Sequence, residues 1–265
     1  MGDVVTSLHG DRIGLDRNDY LTGKGFQGVS FGNKGAEFQY RNLREAIVLF
    51  DDFLGDTLDA RWSGAAGNDA QAVAPTINAQ VGGVVRMTTG DTVTVSESAI
   101  SLTHGLNWKA SLGGLVFEAK VKPVSSVANV AYFIGLTDVL ATTTLEEPIT
   151  LSGTTFTTNA SDAVGFVFDT AATTDVIYGK GVKADTDSAT LTHTAGFVAD
   201  TSIVLRIEVD TSGNASLYID GVLLGTITDA VTPGTALTPV VEIMARTTTS
   251  KSIDVDYIYV SQDRA

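Results

Sequence analysis

LVFEAKVK at 115–122 and IVLRIEVD at 203–210 decide the class of this chain. In the first, Leu115, Phe117, Ala119 and Val121 alternate with Val116, Glu118, Lys120 and Lys122; in the second, Ile203, Leu205, Ile207 and Val209 alternate with Val204, Arg206, Glu208 and Asp210. Successive side chains of a β-strand point to opposite faces, so each segment reads as a strand with one face buried and the other wet. The same period sets Val241, Ile243 and Ala245 inward opposite Glu242, Met244 and Arg246. It also sets Ile253, Val255, Tyr257 and Tyr259 inward opposite Asp254 and Asp256. Strands that bury one face each must pack face to face, which predicts an all-β, antiparallel two-sheet sandwich with Phe117, Leu205, Ile207, Ile243, Val255 and Tyr257 in its core.

Working outward, VAYFIGL at 130–136 and AVGFVF at 163–168 alternate less and suit central strands covered on both sides. Asp210 to Asn214 joins RIEVD to ASLYID, and Asp220-Gly221 joins ASLYID to VLLGTI; the latter is a preferred type I′ turn pair, so a three-stranded meander is expected. The Thr-rich stretch 139–162 reads as a long loop between central strands.

The chain divides near residue 46. Residues 1–45 scatter Val5, Leu8, Ile13, Leu15, Tyr20, Phe26, Phe31, Phe38 and Tyr40 among glycines and charges with no sustained period of 2 or 3.6. Such a segment buries too little apolar surface to offset its ordering entropy alone, so it reads as an extended N-terminal arm that wraps the body or lies on another subunit. The body, 46–265, reads as one domain. The arm's six cations (Arg12, Arg17, Lys24, Lys34, Arg41, Arg44) balance six anions, so the formal net charge of −14 belongs to the body. That acidity argues against nucleic acid and anionic membranes as partners. With no cysteine, neither disulfides nor thiolate metal sites contribute. No cationic segment followed by an apolar stretch opens the chain and no apolar run is long enough to span a bilayer, which suggests a soluble protein made in the cytoplasm.

Three segments of the body resemble the concanavalin A-like jelly roll of lectins, laminin-G-like modules and many glucanases. Phe50 to Trp62 (FDDFLGDTLDARW) is similar to the entry strand and turn of those domains. Ser216 to Leu223 (SLYIDGVL) is similar to their late hairpin, and Ile253 to Val260 (IDVDYIYV) to the closing strand that returns beside the first. The resemblance implies a jelly-roll sandwich over 46–265, with Trp62 as a core anchor. It implies fold, not function.

Glycosidases of this fold carry two carboxylates on one strand as Glu-x-Asp-x-x-Glu or Glu-x-Asp-x-Glu, so that alternation aims both into one cleft. Glu208-Val209-Asp210 is the one partial match; the second Glu is missing and a turn follows, so Glu208 reads as a solvated strand charge and the body as a non-enzyme. His9, His104 and His193 lack zinc spacing, and no nucleophile elbow or phosphate loop is present. Asp51-Asp52 and Asp185 to Ser188 read as turn residues rather than calcium ligands, so neither metal nor cofactor is expected. Trp62, Trp108, Phe156, Tyr178 and Phe197 are the candidate aromatic platforms for sugar, with Trp62 and Trp108 better suited to packing.

A jelly roll preceded by a long polar arm resembles virion structural proteins of tailed phages, above all capsid decoration or cement proteins. The resemblance implies cohesion at the capsid surface, with Phe26, Phe31, Phe38, Tyr40, Arg41 and Arg44 anchoring the arm on a major capsid protein or other virion subunits, and homo-oligomerisation. The alternative is a carbohydrate-binding head- or tail-fibre adhesin with a glycan as ligand.

Overall fold

The computed structural model describes residues 46–66, 73–78, 82–91, 96–102, 106–139 and 147–265. The arm anchors Phe26, Phe31, Phe38, Tyr40, Arg41 and Arg44 lie outside the described residues, as do His9 and His104.

Alternation builds two antiparallel sheets. The first runs in spatial order β16 (Val222–Ile227), β15 (Ala215–Ile219), β14 (Ile203–Val209), β6 (Leu115–Val124), β18 (Ser252–Asp263), β4 (Val85–Thr88) and β3 (Val73–Ile77), with β1 (Ala46–Asp51) also on β18. The second runs β12 (Thr186–Asp187), β11 (Tyr178–Lys183), β10 (Ala163–Asp169), β7 (Val130–Thr137), β17 (Thr238–Ala245), β5 (Ser96–Leu102) and β2 (Trp62–Ala66), with β13 (Leu191–Thr192) also on β11. The core between them is formed by Phe117, Leu205, Ile207 and Leu217 of the first sheet against Tyr132, Ile134, Phe166 and Ile243 of the second. The first strand does pair with the last, Phe50 opposite Tyr259.

Local chemistry sets the entry to the fold. Asp51 accepts the Phe53 amide at 2.9 Å and the Trp62 indole N–H at 2.7 Å, and the Phe53 and Trp62 rings pack 5.6 Å apart, both buried. Trp108 is buried in the same core. The meander is present: Asp220 and Gly221 have φ of 49° and 77°, the left-handed pair that a type I′ turn requires. In the preceding turn, Asp210 Oδ1 accepts the amides of Ser212 and Asn214.

Three expectations need correction. The closing strand does not keep its alternation: its pairing with β6 shifts between Val255 and Tyr257, with Asp256 as the extra residue of a β-bulge. A one-residue slip turns every later side chain over, so Ile258 and Val260 point into the core, while Tyr257 and Tyr259 face outward with Tyr257 half-buried. The stretch 139–162 is not only a loop, since β8 (Ile149–Ser152) and β9 (Thr155–Thr158) form a hairpin within it. Its Ile149 and Leu151 pack on Phe133, Val167 and Val240 of the second sheet's outer face, which is why β7 and β10 are buried on both sides. Each of those two side chains contributes roughly 1.5–3 kcal/mol before ordering costs. Finally, Phe197 is no surface platform; it is buried edge-on against Tyr132 and Phe168.

Candidate functional site

With the second sheet's outer face partly closed by the hairpin, the outer face of the first sheet carries the polar chemistry. Register decides which groups meet there. Arg206 of β14 lies opposite Glu118 of β6 on one side and Tyr218 of β15 on the other, and Tyr259 of β18 lies opposite Glu118. The Arg206 guanidinium donates through Nε to Glu208 Oε1 at 2.8 Å and through Nη1 to Glu118 Oε2 at 3.3 Å. The Tyr218 hydroxyl donates to Glu208 Oε2 at 3.2 Å, and the Tyr257 hydroxyl donates to Glu118 Oε1 at 2.7 Å. Five side chains from four strands thus form one chain of hydrogen bonds: Tyr218, Glu208, Arg206, Glu118, Tyr257.

Burial and charge set its electrostatics. Glu118 is almost fully buried although it faces away from the core, whereas 40% of the Glu208 side chain is exposed. Burial works against the charge on Arg206, but Glu208 and Glu118 more than offset it and hold the guanidinium above its ordinary pKa. Burial, then the Glu118 carboxylate, push the Tyr257 phenol far above its usual value; burial and Glu208 raise Tyr218 in the same way. Both phenols therefore stay protonated, as hydrogen-bond donors, throughout the neutral range.

Beside this network opens a depression of about 450 Å³, bounded by Arg206, Glu208, Asn214, Ser216, Thr226 and Tyr259. A smaller one of about 110 Å³ lies farther along the same sheet, against Gly83, Lys122, Asp254 and Asp256. Its charges are also paired. Arg86 grips Asp254 at 2.7 and 2.9 Å, Lys122 reaches Asp254 at 3.4 Å, and Lys120 reaches Asp256 at 2.6 Å. This face offers fixed hydroxyl, amide and guanidinium donors beside fixed carboxylate acceptors. Such an array has the donors and acceptors needed to hydrogen-bond a hydroxyl-rich molecule, with the half-buried Tyr257 ring at its middle.

Glu208 keeps the exposure expected of a strand charge, and it is in addition held by Arg206 and Tyr218 at the edge of the larger depression. Asp210 borders the same depression but serves the hairpin turn. Sequence reasoning missed Glu118, Arg206 and Tyr257 as site residues. The first two were visible as outward charges at matching positions of the two strands that define the fold; Tyr257 was hidden by the bulge. Phe156 of the β8–β9 hairpin and Tyr178 of β11 meet edge to face at 5.8 Å on the outer side of the second sheet, with the Lys180 ammonium 5.0 Å from the Phe156 ring centre. Asp51 is occupied by Phe53 and Trp62, Asp185 by the Ser161 hydroxyl and Asp187 by Lys180. The His193 ring lies on the backbone of Ala195. Among the described residues, no three His, Asp or Glu side chains are grouped to hold a metal ion, and no helix is long and apolar enough to cross a membrane.

No protein-family model matches the chain, and no curated protein matches it in sequence. Solved structures do match. A protein of unknown function from Shewanella oneidensis MR-1 is 15% identical, with a TM-score of 0.55 over 95% of this chain and 97% of that one. Peanut lectin is 11% identical, with a TM-score of 0.55 over 82% of this chain and 97% of the lectin. The fold is the concanavalin A-like jelly roll. The laminarinase from Rhodothermus marinus shares it at 14% identity and a TM-score of 0.56, over 83% of this chain and 98% of the enzyme. That match overturns the expectation of a non-enzyme. A missing Glu-x-Asp-x-x-Glu spacing on one strand does not take a chain out of a fold on which glycan-cleaving enzymes are built. At these identities the comparisons establish fold, and none of them links the chain to a capsid decoration protein.

Proposed function

We propose that this jelly roll is a glycan-engaging domain whose ligand lies on the outer face of the first sheet. The observation that carries the reading is the Tyr218–Glu208–Arg206–Glu118–Tyr257 network at the rim of the 450 Å³ depression. Preorganised donors and acceptors held by one another lose little freedom on binding, which is what a weakly hydrophobic, hydroxyl-rich ligand demands. The fold shared with a lectin and a laminarinase supports the same class of ligand.

The test is a glycan array led by β-glucans, followed by calorimetry and by a reducing-end assay on the same mixtures to register cleavage. Ser216 is half-exposed on the wall of the depression, so Ser216→Trp should fill it without disturbing the core. Binding should then fall at least about tenfold, the loss of one to two hydrogen bonds. A blank array, or binding that survives Ser216→Trp, would refute this placement.

The setting we assign, a virion surface reached through residues 1–45, rests on the sequence of that segment. It fits an adhesin as well as a cement protein. A chain beginning at Ala46 should keep its glycan affinity and lose its retention on the particle. Full retention without residues 1–45 would remove the arm's assigned role.

A further inference from the structure

We infer that this face takes an extended, uncharged oligosaccharide spanning both depressions, rather than a single terminal sugar; the inference rests on the glycan reading above. The larger depression is bounded by Val116 of β6 and the smaller by Lys122 of the same strand, six positions farther along. At about 3.3 Å per strand residue this is roughly 20 Å, too long for one sugar ring and suited to a chain of several. Between the two lie Glu118 and Lys120 of β6 and, beside them on β18, Tyr257 and Tyr259. The bulge at Asp256 is what brings Tyr257 out onto this face. Its ring packs against Phe50 at 5.9 Å and gives an apolar step midway, of the kind on which a pyranose face stacks.

Absence of charge in the ligand follows from the pairing. Arg206 is committed to Glu118 and Glu208, Arg86 and Lys122 to Asp254, and Lys120 to Asp256. An anionic sugar would have to break one of these pairs to gain a cation, against a chain of net charge −14. A neutral chain can hydrogen-bond to the same groups while they stay paired.

The experiment measures affinity for linear β-glucan fragments from monosaccharide to hexasaccharide, with an oligouronate series as the charged comparison. Lys122→Ala is the second variant; it alters only the smaller depression, and Asp254 keeps its two bonds from Arg86. Affinity should climb with length, the uronates should bind more weakly, and Lys122→Ala should cost the hexasaccharide about five- to tenfold while leaving the disaccharide unchanged. Equal affinity at all lengths, an unaltered hexasaccharide in Lys122→Ala, or tighter uronate binding would overturn the extended-chain inference and leave the glycan reading intact. Failure of every fragment together with a blank array would sink both.

Discussion

Replacing Arg206 with Leu tests whether the polar face is held together as its geometry implies. Glu118 is 2% exposed and has two partners in the network, the Arg206 guanidinium and the Tyr257 hydroxyl. Removing the guanidinium leaves a buried carboxylate with one neutral donor. Breaking a buried ion pair costs about 3–5 kcal/mol, and the 24% exposure of the Arg206 side chain, which admits water, places this case near the lower end. The bond to Glu208 adds little, because that carboxylate is well exposed and recovers its solvation. We therefore expect Arg206→Leu to lower the unfolding free energy by about 3 kcal/mol in urea titration, with an unchanged m-value. In Arg206→Leu/Glu118→Leu both charges are gone and apolar side chains fill the space, so most of that loss should be recovered. A single-variant cost below about 1 kcal/mol, or a double variant as unstable as the sum of its parts, would show that Glu118 does not depend on Arg206.

Three further outcomes are expected. Because burial and Glu118 raise the Tyr257 pKa in the folded state, its contribution is complete below the unfolded tyrosine value near 10 and is lost as pH rises beyond it; Tyr257→Phe should flatten the fall in stability above about pH 10, measured by alkaline unfolding. Asp138 is raised by burial, opposed in part by hydrogen bonds and reinforced by Asp162, and its Oδ1 is buried without a partner. Its ionisation therefore weakens the fold as pH rises through the folded value, and Asp138→Asn should gain up to about 1 kcal/mol at neutral pH in thermal melts. A Cβ added at Gly135 would stand 2.2 Å from the Val164 carbonyl oxygen, so Gly135→Ala should force β7 from β10 and cost more than about 3 kcal/mol, read by chemical denaturation.

The strands were legible wherever one face is apolar and the other polar, as in β6 and β14, because burial then fixes the register. The turns at Asp210 and Asp220-Gly221 were legible because those residues meet a backbone requirement that few others satisfy. The bulge in β18 was not. IDVDYIYV alternates without a break if tyrosine counts as apolar, and the true inward set after Asp256, Ile258 and Val260, shows only when tyrosine is allowed to face water with its hydroxyl bonded. The β8–β9 hairpin was masked by its threonines, which supply the exposed side while Ile149, Leu151 and the half-buried Phe156 supply the inner one. The candidate site was half visible. Its charges could be read from alternation, but their meeting depends on the spatial order β15–β14–β6–β18, in which β6 and β18 pair across more than a hundred residues of chain.

The two outer faces of the sandwich show why one extra residue matters. On the second sheet, Phe133, Val167 and Val240 make an apolar surface that the chain covers with its own hairpin, so that face is spent on stability. On the first sheet, a strict alternation through β18 would have sent Tyr257 and Tyr259 inward and Ile258 and Val260 outward, leaving aliphatic side chains beside Glu118 where the two phenols now lie. Glu118 would then lack its phenolic donor and would meet aliphatic side chains on its β18 side, with Arg206 on β14 as its remaining partner. The insertion at Asp256 exchanges the two sets. It delivers aliphatic residues to the core and phenols to the polar face in the same stroke, and Asp256 itself points out to take Lys120. Packing and site are thereby coupled through a single register shift. Deleting Asp256 should accordingly damage core and polar network together, whereas a purely decorative surface cluster would lose only its own contacts.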